Sequence, residues 1–200
     1  MMAGIQTFKS RVRGDFSRPN LFQCNVSFPT GVTGGDAAAS LGAFTVRAAN
    51  LPATQVGVVE VPYRGRVLKI AGDRTFEPWT ITVMNDSNFV LRNAFESWAE
   101  KIQAYTQNVT SASDDTAYFK DMYVTQFDRF APTDADGNTG NPLAEKKHKP
   151  IAKYRFYDCF PTNISAIDLD YGSNDAISEF TVELQVQYWT PEKGELKTDN

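Results

Sequence analysis

Phe22, Cys24, Val26 and Phe28 alternate with Gln23, Asn25 and Ser27. That period of two predicts a half-buried strand, ended by Pro29. Residues 30–40 are rich in Gly, Thr and Ala and are expected to form a loop. Phe44, Val46 and Ala48 alternate again until Asn50-Leu51-Pro52 breaks the run. Val56 to Tyr63 is extended and β-branched, and its Pro62 argues for an edge strand, because proline cannot donate to a ladder. Val67–Ile70 and Trp79–Val83 are predicted strands joined by a turn at Gly72-Asp73. Further strands are predicted over Tyr118–Phe127, Ile151–Phe160 with Pro161 as its stop, and Ile164–Asp170 with a turn at Tyr171-Gly172-Ser173-Asn174. From Phe180 to Tyr188 apolar and polar positions alternate without a slip, ending at Trp189.

One segment follows the other period. Leu91, Phe95, Trp98, Ile102 and Tyr105 fall at steps of four, three, four and three. They form a single apolar stripe, with Arg92, Glu96, Glu100 and Lys101 largely off it. Asp86, Ser87 and Asn88 each carry a short oxygen that can cap the helix start. Leu91, Phe95, Trp98 and Ile102 are the expected core stripe. About eight strands and one helix predict a mainly β fold: a β-sandwich or partly open β-barrel with one flanking α-helix. A single domain over 1–200 is expected, with 1–20 as an N-terminal arm and 190–200 as a polar C-terminal tail.

Composition narrows the function more than it alters the fold. Twenty basic against 24 acidic residues give a net charge of −4. A protein that grips nucleic acid needs a basic excess, so any encounter with DNA is expected to be loose or repulsive. Cys24 and Cys159 lie far apart, each inside a predicted strand and with no CxxC spacing; two buried free thiols are the expected state, with a disulfide left open. The first 20 residues carry Lys9, Arg11, Arg13 and Arg18 without an apolar stretch, and no apolar run approaches the ~20 residues of a membrane helix. Synthesis and use in the cytosol are expected.

Candidate reaction chemistry is thin. Asp134, Asp136, Asn138 and Glu145 approach the spacing of a calcium loop, but Thr139 stands where glycine is needed, and Pro132 and Pro142 spoil the flanking helices. His148 is the single histidine and lies in the run Lys146-Lys147-His148-Lys149, where no neighbour orients it as a base. Lys146, Lys147 and Lys149 suit a docking loop for an acidic surface. Asp168 and Asp170 share a face of a predicted strand, which could serve acid–base work but better suits a solvated or interface-facing acidic patch. No metal, cofactor or catalytic set is expected. The stretch Arg64 to Ile102, with its basic turn, strand, cap and helix, reads as parts made to fit against copies of the same chain.

These residues resemble a known family in order along the chain. Phe8, Arg18-Pro19-Asn20-Leu21-Phe22, Asn50-Leu51-Pro52, Tyr63 to Asp73, Trp79-Thr80-Ile81-Thr82-Val83 with Asn85-Asp86, and Arg92, Phe95-Glu96 and Trp98 come first. Tyr157 to Ser165, Ile167-Asp168-Leu169-Asp170-Tyr171, Phe180-Thr181-Val182 and Gln187-Tyr188-Trp189 complete the series. The pattern resembles the tail tube proteins of contractile-tailed (myovirus-type) bacteriophages. The resemblance implies hexameric rings stacked into a hollow tube inside a contractile sheath, and a virion component assembled in the host cytoplasm. It also implies sheath, tape-measure, baseplate and tail-terminator partners, with DNA only as passing cargo, and no catalytic residues. Open sheet edges closed by neighbouring copies fit that picture. Glu183, Gln185 and Gln187, or Asp168 and Asp170, are the candidate lumen-facing or inter-subunit residues. Three other readings compete: the tube of a type VI secretion or extracellular contractile injection system carrying protein effectors, a small-ligand barrel, and a hydrolase using Asp168 and Asp170.

Overall fold

The computed structural model describes residues 5–11, 16–106, 109–110, 117–129 and 150–192. Its elements in chain order are α1 (Ile5–Arg11), β1 (Phe22–Asn25), α2 (Gly35–Thr45), β2 (Val46–Ala49), β3 (Thr54–Tyr63), β4 (Arg66–Phe76), β5 (Trp79–Met84), α3 (Val90–Ile102), β6 (Lys120–Phe127), β7 (Pro150–Ile164), β8 (Glu179–Gln185) and β9 (Tyr188–Glu192). Seven strands form one sheet in the order β1-β6-β7-β8-β5-β2, with β9 also paired to β7; β3 and β4 form a separate two-stranded sheet. The fold is mainly β, as the alternating pattern requires.

Two compact units divide the chain: Met1–Phe22 with Thr125–Lys153 and Glu192–Asn200, and Gln23–Val124 with Tyr154–Pro191. In the first, the arm is tied alongside the end of β6. Phe127 N–H donates to Leu21 O at 2.9 Å, and Gln126 Nε2 donates to Ser17 Oγ and Arg18 O. Lys153 pairs with Glu192 at 2.6 Å.

The second unit holds the core. Alternate residues of β5 (Trp79, Ile81, Val83) and β8 (Phe180, Val182, Leu184) are buried, together with Met122, Phe156 and Cys159. Antiparallel register matches Trp79 to Leu184, Ile81 to Val182 and Val83 to Phe180, so the two apolar faces coincide. Trp79 stacks on Phe156 with centroids 4.6 Å apart. From α3, Leu91, Ala94, Phe95 and Trp98 are buried, whereas Ile102 is half-buried and Tyr105 is exposed. The N-cap of α3 is Phe89, in the left-handed region and without a side-chain cap bond, not Asp86, Ser87 or Asn88. The Asp86 carboxylate instead orders the turn before it, accepting from Asn88 N–H and Val90 N–H at 3.2 and 2.9 Å.

Five local expectations are corrected. The loop expected over residues 30–40 contains the start of α2, which takes in Phe44 and leaves that ring exposed. Small residues hide this helix from a hydrophobicity pattern: Gly35, Ala38 and Gly42 form its buried side. A Cβ on Gly35 would meet Phe28 Cβ at 3.0 Å, so the chain approaches closely there. The expected basic turn at Arg64-Gly65 is the turn of the β3–β4 hairpin, and both its residues have positive φ (46° and 82°), as a type I′ turn requires. The second turn expected at Gly72-Asp73 does not form, because β4 runs straight on to Phe76. Gly72 instead sits mid-strand beside a register shift, where a Cβ would meet the Gly57 backbone at 3.2 Å. Pro161 does not end β7; a register shift between Pro161 and Asn163 absorbs the missing donor. Beyond Ile164 the chain leaves the sheet, because Ser165 closes the pairing through both its N–H and its Oγ to Thr181. The run from Phe180 to Tyr188 splits at Val186-Gln187, where Gln187 N–H donates to Tyr157 O and the chain turns to pair β9 with β7.

Candidate functional site

The β3–β4 hairpin is exposed along nearly its whole length. Its cross-strand register pairs Val59 with Ile70, Val61 with Leu68 and Tyr63 with Arg66. Residues two apart share a face, so Val59, Val61, Tyr63, Leu68 and Ile70 form one apolar surface near the tip. All five are exposed, Leu68 at 60%. Arg66 shares this face opposite Tyr63 and Arg64 lies over the Tyr63 ring, whereas Lys69 pairs with Glu60 at 3.6 Å on the other face. Within one chain this apolar face is left in water. Its base is fastened: Trp79 Nε1 donates to Asn50 O, Thr80 N–H to Asn50 Oδ1, and Glu77 N–H to Ala53 O.

Glu183 and Gln185 lie on β8 with side chains on the face opposite Val182 and Leu184. Thr80 and Asn163 are the register partners of Glu183, so that face is polar there, whereas Phe160 stands opposite Gln185. Gln187 lies past the strand end and is exposed. Asp168 and Asp170 are elsewhere, on the exposed segment joining β7 to β8. Asp170 Oδ1 accepts from Gly172 N–H at 2.9 Å, so its carboxylate closes a turn. The structure therefore brings Glu183 and Gln185 together and separates both from the aspartates. Lys146, Lys147 and Lys149, with His148 and the Asp134–Glu145 loop, lie outside the described residues.

Two features were not anticipated from the sequence. The hairpin face is one; its signal was the density of valines on both sides of Arg64-Gly65. The other is a cluster on the polar side of β6 and β7. Arg155 donates to Asp121 Oδ2 at 2.7 Å and lies 4.6 Å from the Tyr157 ring centroid and 5.4 Å from that of Tyr123. The hydrogen bond to Asp121 pushes the guanidinium pKa further up, so Arg155 is a fixed cation. Tyr157 stacks on Tyr188 at 4.5 Å.

The seven-strand path ends at β1 and β2, each four residues long, and the apolar hairpin stands apart from it. These features define a subunit that presents strands and apolar surface to other chains. The chain belongs to the phage tail tube protein family, whose sequence profile matches residues 17–192. It is 34% identical over 179 residues to the tail tube protein gp19 of Enterobacteria phage T4, covering 88% of this chain and 92% of that one. It is 27% identical over 186 residues to the tail tube protein of Serratia phage KSP90, covering 92% and 94%. Its fold matches a chain of the anti-feeding prophage cap with a TM-score of 0.60 at 13% identity, covering 92% and 95%.

Proposed function

We propose that this chain forms the inner tube of a contractile phage tail. Subunits close into hexameric rings, the rings stack into a hollow conduit, and DNA leaves the particle through it. Membership of the tail tube family over residues 17–192 is the observation that carries this reading. The geometry supports it at two levels. Sheet edges left at β1 and β2 offer backbone groups to a neighbour, each bond contributing about 0.5–1.5 kcal/mol net. Repeated around a ring, such bonds make a stiff wall. The polar face bearing Glu183 and Gln185 suits the bore, with Gln187 at its margin. A neutral or acidic lining repels phosphates, so DNA slides without sticking.

The subunit acts by assembly rather than by catalysis. Asp168 and Asp170 serve contact between subunits, and Lys146, Lys147 and Lys149 serve as a docking loop. A sheath surrounds the tube, a tape-measure protein fills it before release, and baseplate and terminator proteins bound its ends. The assembly is built in the host cytoplasm and resides in the virion. The fold is shared with a component of an injection system, which favours one second reading, a tube for protein effectors. Neighbouring capsid and terminase genes separate the first reading from the second, whose gene neighbours encode effectors and an ATPase. Sedimentation of the full chain, with and without a baseplate initiator, tests assembly. Ring-sized particles and larger multiples are expected; single subunits at high concentration under both conditions contradict it.

A further inference from the structure

We propose that the Asp121 carboxylate locks a crease crossing three neighbouring strands of the sheet, and that this crease sets the curvature of the wall each subunit gives to its ring. The curvature role rests on the tube reading, with the polar face bearing Glu183 turned to the bore. The crease itself rests on the fold. Three interruptions lie side by side. β4 ends at Phe76 and β5 starts at Trp79, with Pro78, which has no N–H for a ladder, between them. Trp79 stands opposite Leu184, so the same register sets Pro78 and Glu77 beside Gln185 and Val186. There β8 ends at Gln185, and β9 starts at Tyr188. On the other side of β8, Phe160 stands opposite Gln185, and Gln187 N–H donates to Tyr157 O at 3.1 Å. Between Tyr157 and Phe160 comes Asp158, where β7 turns left-handed at a φ of 53°. A left-handed residue inside a strand bends it.

The left-handed region is unfavourable for a residue with a Cβ, so the bend at Asp158 persists because its surroundings hold it. One carboxylate on β6 does most of the holding. Asp121 Oδ1 accepts from Asp158 N–H at 3.2 Å, and Asp121 Oδ2 accepts from Arg155 Nη2 at 2.7 Å. The bend and the strand just before it are thus tied to one side chain. An ordinary surface ion pair contributes little; this one also holds a strained backbone N–H. Between the two ties, the Tyr157 ring meets the Arg155 guanidinium at 4.6 Å and stacks on Tyr188 at 4.5 Å. Tyr188 opens β9, so the clasp reaches the second interruption. At the third, Glu77 N–H donates to Ala53 O and Trp79 Nε1 to Asn50 O. Trp189 meets both Phe76 and Tyr154 edge to face, and these rings join the same three strands. A closed ring needs each subunit to turn the wall through one fixed angle, and bulges are the means by which sheets gain curvature.

Amide exchange in the unassembled full chain tests the lock, and electron microscopy of the assembled chain tests the curvature. Asp121→Ala is expected to speed exchange of the Gln187 amide about tenfold, with the β5–β8 ladder unchanged. Its rings are expected to vary in diameter where those of the unaltered chain are uniform. Asp121→Asn keeps an acceptor for Asp158 N–H and loses the charge facing Arg155, so it should fall between the two; it carries the test if circular dichroism shows Asp121→Ala unfolded. Asp158→Gly removes the penalty of the left-handed backbone. Added to Asp121→Ala, it is expected to restore both the protection of Gln187 and the uniform rings, a rescue that a plain surface ion pair would not give. Gln187 exchange equal to that of the unaltered chain overturns the lock. Uniform rings of unchanged diameter in Asp121→Ala overturn the curvature role while the tube reading stands. Absence of rescue by Asp158→Gly overturns the proposal too, since the loss is then general destabilisation. Failure of the unaltered chain to form rings overturns the tube reading and the curvature role with it, and the exchange result alone then decides the lock.

Discussion

Trp98 shows how one side chain joins three elements. It is fully buried on α3, meets Phe28 edge to face at 5.7 Å, and donates its indole N–H to Tyr118 O at 2.9 Å. Trp98→Ala opens a large cavity and strands that carbonyl; a loss of about 3–5 kcal/mol is expected in denaturant unfolding. The two thiols act through solvation. Burial pushes Cys24 and Cys159 from 9.0 up to about 12, and both are free. The folded state keeps these protons where the unfolded chain sheds them. Their contribution is therefore complete below about pH 9 and is lost as pH rises towards 12. Thiol labelling at pH 8 should be slow in folded protein and complete in denaturant; equal rates contradict the burial. Residues such as Trp98 were legible because their size and spacing dictate burial. Arg92 was not. It looked like a polar residue on the outer helix face, yet its guanidinium lies 5.2 Å from the Phe180 ring centroid and binds the Ser165 carbonyl. A long apolar stem with a charged head reads as surface whether or not it bridges two elements.

At the scale of elements, the period of the pattern was informative wherever large side chains pack. β5, β8 and α3 follow from it because buried positions there are filled by Trp, Phe, Leu, Ile and Val. α2 escaped because it packs through Gly and Ala, which carry little apolar signal although alanine favours helix. The hairpin turn at Arg64-Gly65 was legible, whereas Gly72-Asp73 has the composition of a second turn and is strand. In the fold Gly72 serves close approach across a bulge. That role gives a direct test. Gly72→Val puts branched carbons against the Gly57 backbone and should disrupt hairpin pairing, seen as faster amide exchange over β3 and β4 with β5 and β8 unchanged. Protection of the hairpin equal to that of the unaltered chain contradicts the close approach. The start of α3 was legible only in part: its N-cap is Phe89, which has no capping oxygen, and Asp86 takes the Val90 N–H from the turn before; Asp86→Ala should cost about 0.5–1.5 kcal/mol in the same unfolding assay.

At the scale of the whole molecule, family and fold class emerged from the ordered series of motifs, and the matched span 17–192 covers them from Arg18 to Trp189. The surfaces that meet other copies were harder to see. An exposed apolar residue and a buried one look alike in a sequence, so the strand pattern around Val59 and Leu68 gave no sign of their exposure. Asp168 and Asp170 read as strand because they alternate with Ile167 and Leu169, although no sheet partner holds them there. If the tube is built by edge pairing, the sheet is completed only between subunits. A cryo-electron microscopy map of the assembled tube tests it most directly. The predicted result is backbone hydrogen bonding from one subunit's edge strand to its neighbour's, continuous around the ring. A ring whose neighbouring sheets touch only through side chains would contradict the claim.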